Sequence, residues 1–292
     1  MTVLVTGASG FSGSHVLRHL LSTGRPVLAN SRRSVPSLEV LAEEHDGLRL
    51  LLGDIGALER LSEDVEAVIH IAATSPAPGV TNNAIHHDNT EATKHLIRLS
   101  LEAGVERLVF FSSLSVLGAV SNDVVDENTA IDGPDDYGRS KLAGEDCLRE
   151  ASDRMPAVAL RLPGILGAGA ARHWLAGVLE KARRDDDIPI YNPDAAFNNA
   201  VHIGDLCDLI EKILALPMVD FDAVTLGAAD AIPVRAVVDT VVSAAESAST
   251  VVVEPEPRHS FTVSNTRAVS RYGYAPMAMT PMLKRYVSES LA

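Results

Sequence analysis

The chain has 292 residues, 46% hydrophobic and 22% charged, with 20 Gly and 15 Pro, a balance that excludes a disordered, collagenous or coiled-coil protein. Against 25 Lys and Arg stand 39 Asp and Glu, so the net charge of −14 repels phosphate backbones and anionic membrane surfaces, and neither a nucleic acid nor a membrane is expected as partner. Cys147 and Cys207 lie within helical patterns, away from any metal-ligand spacing; with no leader pattern and no apolar window near the ~18 residues of a membrane span, this agrees with a cytoplasmic setting.

Short apolar runs at Val3–Thr6, Val27–Asn30, Leu48–Leu52, Ala67–Ala72, Arg107–Ser112 and Ala157–Leu162 read as buried strands. Strands apolar on both faces need crossover connections, so Ser12–Ser22, Leu38–His45, Ala84–Ala103 and Tyr137–Glu150 are expected as helices on the two sides of a doubly wound parallel sheet. Beyond about residue 165 the rhythm loosens. An Arg172–Arg184 helix, an Ile188–Tyr191 strand, a Gly204–Leu216 helix and a Val224–Leu226 strand follow, and Val251–Pro257 alternates Val, Glu and Pro before a final amphipathic Pro281–Leu291 helix. The expected division is a larger, doubly wound region at 1–165, with segments near 196–230 returning to it, and a smaller, interleaved mixed α/β region at 166–292.

The most informative segment is Thr6-Gly7-Ala8-Ser9-Gly10-Phe11-Ser12-Gly13, between the first strand and the first helix. Glycine serves where the chain turns at positive φ, where backbone approaches a pyrophosphate, and where helix packs tightly on strand; the helix N-terminus then offers N–H groups to phosphate. Gly7, Gly10 and Gly13 can fill these roles.

The Gly-x-x-Gly-x-x-Gly spacing resembles that of the short-chain dehydrogenase/reductase superfamily, in its extended, epimerase/dehydratase-type branch. Further motifs follow in that branch's order: Gly53-Asp54-Ile55, His70-Ile71-Ala72-Ala73, Asn89, Ser112-Ser113-Leu114-Ser115-Val116-Leu117-Gly118, Tyr137-Gly138-Arg139-Ser140-Lys141, Val201-His202-Ile203-Gly204-Asp205-Leu206 and Tyr272-Gly273-Tyr274-Ala275-Pro276. The resemblance covers nearly the whole chain and implies a Rossmann-type fold, with Ser9, Phe11, Ser12, Ala72, Ala73 and Pro163 against the cofactor and Asp54 and Ile55 framing the adenine. It also implies a homodimer through the Ala84–Ala103 and Tyr137–Glu150 helices.

At the end of the second strand the branch's NAD-selecting acid is replaced by Ser31, followed by Arg32 and Arg33. A hydroxyl and guanidinium groups suit a 2′-phosphate, so NADP(H) is favoured and NAD(H) is the alternative. Tyr137 and Lys141, four apart on a helix, share one face, and Ser113 ends the preceding strand, where an open α/β sheet carries its functional groups. A free phenol titrates near ~10, so acid/base work needs a neighbouring ammonium. The expected chemistry is hydride transfer between nicotinamide C4 and a carbonyl carbon, with Tyr137 exchanging the proton and Ser113 hydrogen-bonding the oxygen; the resemblance adds Lys141 on the nicotinamide ribose and Asn89 to the catalytic set. His86, His87, Asp88 and His95 lack a metal-binding arrangement, and no metal is expected.

The substrate positions depart from the branch's sugar-nucleotide enzymes. Gly164 stands where they carry a phosphate-contacting Asn, Asn198 where they carry an Arg, and Leu117 replaces a Tyr; Arg172, Arg235 or Arg258 could compensate. The acidic pair of sugar dehydratases is missing after Ser113. The favoured expectation is an NADP(H)-dependent reductase of a ketone or aldehyde, with a 4-keto-sugar nucleotide as one candidate substrate and Ser113, Ser115, Gly164, Trp174, Asn198 and Arg258 facing it. The alternatives are an NAD-dependent nucleotide-sugar epimerase and a non-catalytic NADP-sensing module.

Overall fold

An apolar strand with no polar face has to be covered on both sides, and the chain meets this need with one sheet packed between helices. The computed structural model describes residues 1–171, 173–256 and 259–292 and divides into two units, the first comprising Met1–Ala119, Ile131–Arg161 and Ile210–Val224. Its elements are β1 (Thr2–Thr6), α1 (Phe11–Ser22), β2 (Val27–Ser31), α2 (Pro36–Glu44), β3 (Leu48–Leu52), β4 (Val65–His70), α3 (Asn82–Ile85), a π-helical segment His86–Glu91, α4 (Ala92–Ala103), β5 (Arg107–Ser113), α5 (Asp136–Ala151), β6 (Ala157–Leu162) and β7 (Phe221–Thr225). The sheet runs β7-β6-β5-β4-β1-β2-β3. The pairings of β1 with β2 and β4, of β2 with β3, and of β4 with β5 are parallel. Strand order therefore reverses at β1 and β4, and the crevice at such a switch point is where this architecture binds ligands.

The helices carry apolar stripes onto the sheet. On α1, Val16, Leu17, Leu20 and Leu21 are buried, and one core cluster joins Leu4, Val68 and Phe110 of the sheet to Leu96 and Leu99 of α4 and Leu148 of α5. Two expected boundaries differ. The fourth strand stops at His70, because the N–H groups of Ile71 and Ala72 turn to the Thr6 hydroxyl at 3.0 and 3.1 Å. The expected Ala84–Ala103 helix is interrupted by the π segment, whose wider turn brings both Asn89 and Thr90 inward, each 3% exposed.

The second unit comprises Val120–Ala130, Leu162–Leu209 and Thr225–Ala292. Its core gathers helices Trp174–Ala182, Val234–Ala244 and Met279–Leu291 around Ile188 and Ile190. Strand Ile188–Ile190 pairs in parallel with Val251–Val253, and Gly164–Leu166 with Ala200–His202. The expected Arg172–Arg184 helix begins at Trp174, where His173 caps it by accepting the Ala176 N–H at 3.2 Å; Arg172 lies outside the described residues. The Val234–Ala244 helix has the β-branched composition of a strand, yet Val234, Val237, Val238 and Val241 form one buried helical face, and tertiary packing overrides propensity.

At Gly13 in the first unit, an added Cβ would lie 2.1 Å from the Gly7 carbonyl oxygen. Gly13→Ala is expected to lower stability by about 1–3 kcal/mol, read by urea denaturation. An unchanged midpoint would contradict this account of how α1 seats on β1.

Candidate active site

The glycine loop follows β1 at the switch point. Gly7 turns at φ +68, and a Cβ there would meet the Ala72 backbone at 2.9 Å, so this position requires glycine both for its dihedral and for its space. The Gly10 N–H closes the turn onto the Gly7 carbonyl at 2.9 Å, and Gly10 is the N-cap of α1, with no acid in the first helical turn. A backbone of this shape at the positive end of a helix fits a dinucleotide pyrophosphate. Ala72 lies beside it, Ser9 and Ala73 are exposed, and Phe11 and Ser12 are half-buried at the start of α1.

A chain of hydroxyls and one imidazole ties this loop to the helices. Thr6 Oγ1 already accepts two N–H groups, so its hydrogen is directed to His70 Nδ1 at 2.7 Å, which places the ring proton on Nε2, 2.8 Å from Thr93 Oγ1. Burial, helped by the Lys141 ammonium, holds the His70 imidazole down at about 3, so the ring is neutral.

At the end of β2 the residues expected to read the cofactor's ribose behave differently from one another. Ser31 is buried, with its hydroxyl 2.9 Å from Ser9 Oγ and 2.7 Å from the Arg33 carbonyl, whereas Arg32 is exposed and pairs with Asp88 at 3.6 Å. Arg33 is exposed too. Asp54 caps a short turn by accepting the Gly56 N–H at 2.8 Å, and Ile55 is buried behind it.

The residues expected to handle a proton come from β5 and α5. Side chains alternate along a strand, so Ser112 points inward and Ser113 outward, which separates two neighbouring serines. Ser113 Oγ accepts the Ser115 N–H and lies 3.1 Å from Ser115 Oγ, so these two hydroxyls sit together at the strand end. Asp135 caps α5 by accepting the Gly138 N–H at 2.7 Å, and Gly138 is required there because a Cβ would lie 2.1 Å from the Ser115 carbonyl oxygen. This close approach carries Tyr137 and Lys141 alongside the end of β5. Lys141 is 2% exposed; its Nζ donates to the Phe111 carbonyl at 2.8 Å and stands 5.9 Å from the Tyr137 ring centroid. Burial pulls the ammonium down to about 7, opposed by the Glu145 carboxylate, and burial pushes the Tyr137 phenol up. The Tyr137 hydroxyl therefore carries its proton at neutral pH and bonds to Ser75, a residue the sequence motifs did not point to.

Asn89 is spent on the scaffold around this pair. Its Oδ1 accepts the Thr74 N–H at 2.7 Å, and its Nδ2 donates to the Thr74 carbonyl and to Ser140 Oγ, both at 3.0 Å. The segment carrying Ser75 is thereby fixed to the π helix and to α5. Two further residues escaped sequence reading: Glu145, 0% exposed, and Arg161, 4% exposed. Both had a signal, since Glu145 continues the helical face of Tyr137 and Lys141, and a charge inside the apolar run Ala157–Leu162 demands a buried partner.

In the second unit Asn198 is buried, exchanging hydrogen bonds of 2.8 Å with the N–H and carbonyl of Val263, so its amide braces a strand. The His173 side chain packs over Gly164, 3.4 Å from the position of an added Cβ. Trp174 is 41% exposed and meets Phe197 edge-on at 5.1 Å; Pro163 is half-buried, Ser115 of the first unit is exposed, and Arg258 lies outside the described residues. Of the residues with a conceivable metal role, His95 Nε2 bonds the Leu58 carbonyl at 2.7 Å and His86 and His87 lie beside Glu91 and Asp88; among the described residues no three His, Cys, Asp or Glu side chains form a metal-binding group. Nor is any described helix long and apolar enough to cross a membrane.

Comparison with known proteins decides the family. The model of the NAD dependent epimerase/dehydratase family matches residues 3–227. The chain belongs to this family. It is 30% identical over 254 residues to protein y4nG of Sinorhizobium fredii, covering 85% of this chain and 61% of that one. It is 33% identical over 184 residues to UDP-glucose 4-epimerase of Azospirillum brasilense, covering 58% and 50%. It thus spans between a half and three fifths of these relatives' length. In fold it is similar to UDP-glucuronic acid 4-epimerase from Bacillus cereus, solved with UDP-glucuronic acid and NAD, at a TM-score of 0.84 and 19% identity over 99% of this chain and 98% of that one.

The buried imidazole of this family member makes its stability depend on pH. His70 stays neutral down to about 3 when folded but protonates near 6.5 when exposed, so between these values the unfolded chain binds the extra proton. Stability is full above the unfolded value and is lost as pH falls, by up to ~1.4 kcal/mol per pH unit, with His173 and His202 shifted in the same sense. Urea titrations near neutrality and near pH ~5 are expected to differ by about 1–2 kcal/mol; equal stabilities would contradict a neutral His70.

Proposed function

We propose that the protein is an NAD-dependent epimerase acting at a carbinol carbon of a nucleotide-activated sugar. The observation that carries this reading is the buried Lys141 beside Tyr137 on one face of α5, next to the Ser113 hydroxyl at the end of β5. The Azospirillum relative, named as a UDP-glucose 4-epimerase, supports the reaction class, and the NAD of the Bacillus cereus complex supports the cofactor. The glycine loop, Ala72 and the open end of α1 would hold the pyrophosphate, and Asp54 and Ile55 the adenine side. NAD supplies, when bound, a hydride acceptor that can return the same hydride to the opposite face of the sugar carbon.

The chain's own groups handle the proton. Tyr137 rests as a phenol and acts through its phenolate, which the Lys141 cation stabilises: it takes the proton from the sugar hydroxyl as the carbonyl forms and restores it as the alcohol is remade, while Ser113 donates a hydrogen bond to that oxygen. A phenolate in this half-buried position needs a cation, and Lys141, fixed by one hydrogen bond to the Phe111 carbonyl, keeps its other N–H donors for the ribose and the phenolate. Asn89 and Ser75 act on Tyr137 from behind, by position rather than by contact with the reacting carbon.

With Asn198 committed to Val263 and His173 over Gly164, the substrate's phosphates find other partners than in the family's typical sugar-nucleotide enzymes, and the sugar-nucleotide itself is inferred from the relatives. A second reading, an NADP(H)-dependent reductase of a ketone or aldehyde, is favoured by the lack of an acid at Ser31 and by the exposed guanidinium of Arg32. The buried Ser31 hydroxyl and the Asp88 carboxylate at Arg32 both weigh against a 2′-phosphate there.

The test is interconversion of UDP-glucose and UDP-galactose by the purified protein without added reductant. Tyr137→Phe is expected to slow turnover by about 10²–10⁴-fold while leaving nucleotide binding intact. Normal turnover by that variant would remove the mechanism. Consumption of NADPH with simple ketones, and no epimer formation, would establish the second reading instead.

A further inference from the structure

Lys141 is followed one helical turn later by Glu145, and the two sit on the buried face of α5 that also bears Tyr137. Neither long charged side chain reaches water: Lys141 is 2% exposed and Glu145 0%. The Glu145 carboxylate is saturated on three sides. Arg161 on β6 grips it through Nε, 3.1 Å from Oε1, and Nη2, 2.8 Å from Oε2, and Ser112 on β5 donates its hydroxyl to Oε1 at 2.5 Å. Three elements, β5, β6 and α5, thus converge on one carboxylate directly behind the end of β5. Ser112 adjoins both Ser113 and Phe111, whose carbonyl holds the Lys141 ammonium.

We propose that Glu145 is a positioning residue for the candidate active site: locked in place by Arg161 and Ser112, its carboxylate is the counter-charge that keeps the Lys141 ammonium protonated. The charges alternate, guanidinium, carboxylate, ammonium, across β6 and α5. An ammonium removed from water without an anion sheds its proton, and a neutral Lys141 could not stabilise a Tyr137 phenolate. The other groups around Lys141 cannot serve in its place. Tyr137 on the same helix is a neutral phenol, His70 on β4 is a neutral imidazole bonded to two threonines, and Arg161 on β6 is a cation that repels the ammonium. Asp88, on the π segment, is turned to Thr74 and Arg32. Glu145 is therefore the anion whose field supports the lysine, and Arg161 fixes where that anion stands.

The proposal bears on the function above but is tested independently of it, because the readout is the lysine itself. The chain holds five lysines, so ε-carbon-labelled lysine NMR gives a spectrum simple enough to assign Lys141 by substitution. Its midpoint in the wild-type chain is expected near 7, far below the ~10.4 of an exposed lysine. Glu145→Gln keeps the shape and one acceptor oxygen, for the Ser112 hydroxyl and Arg161 Nε, but removes the charge, and should move that midpoint down by about one unit or more. A merely structural role would lower the melting temperature of that variant and leave the midpoint in place, and an unmoved midpoint in the folded variant overturns the proposal. A wild-type midpoint at ~5–6, where buried lysines without a counter-charge titrate, overturns it with no variant needed. Failure of sugar epimerisation with the predicted midpoints would instead count against the functional reading alone.

Discussion

An ammonium group cannot be taken out of water without compensation, and in this protein the compensation organises the end of the sheet where the chemistry is placed. Burying an isolated charge costs far more than a typical hydrogen bond returns, and Lys141 is buried with the Phe111 carbonyl as its hydrogen-bond partner and with the Glu145 carboxylate one helical turn further along α5. Glu145 in turn is buried only with Arg161 and Ser112. These partners come from β5, β6 and α5 itself, so the positions of the three elements are coupled through charge as well as through apolar packing. Gly138, with no room for a side chain against the Ser115 carbonyl, lets α5 come close enough for this to happen. Serine, tyrosine and lysine then stand in one place because the charges behind them leave few alternatives.

The other half of the site is built without charge. Gly7 and Gly13 allow the loop after β1 to fold against the Ala72 backbone and under α1, while Thr6, His70 and Thr93 run a line of hydrogen bonds from β1 through β4 to α4. A neutral imidazole suits this task, since it can accept at one nitrogen and donate at the other, and the nearby lysine helps to keep it neutral. The glycine loop and the Tyr137–Lys141 pair are thereby held by different sets of hydrogen bonds within the first unit.

Much of this was legible in the residue pattern. Six apolar runs, the glycine spacing, and the Tyr137 and Lys141 periodicity place the doubly wound sheet and the face of α5, because buried strands and helical faces have distinct repeats. What the pattern could not supply was long-range pairing. Asn89 reads as a helix residue, and only the π turn shows that its amide clamps Thr74 and Ser140. Asn198 reads as a substrate contact, and only the fold shows it bridging Val263, 65 positions away. Val234–Ala244 is strand-like in composition, and its helical form depends on the core it faces. The expectation of an NADP reductase came from Ser31, Arg32 and Arg33 alone; the family relatives point to epimerases, and Ser31 proves to be turned onto Ser9 and Arg33.

An epimerase returns the hydride it removes and has no need to exchange its cofactor between turnovers, whereas a reductase must release the oxidised form each time. Denaturing the freshly purified protein and identifying the released nucleotide by mass spectrometry separates these directly. The account predicts NAD in near-equimolar amount with the chain. Release of NADP, or a nucleotide-free protein that binds NADPH in preference to NADH, would contradict it.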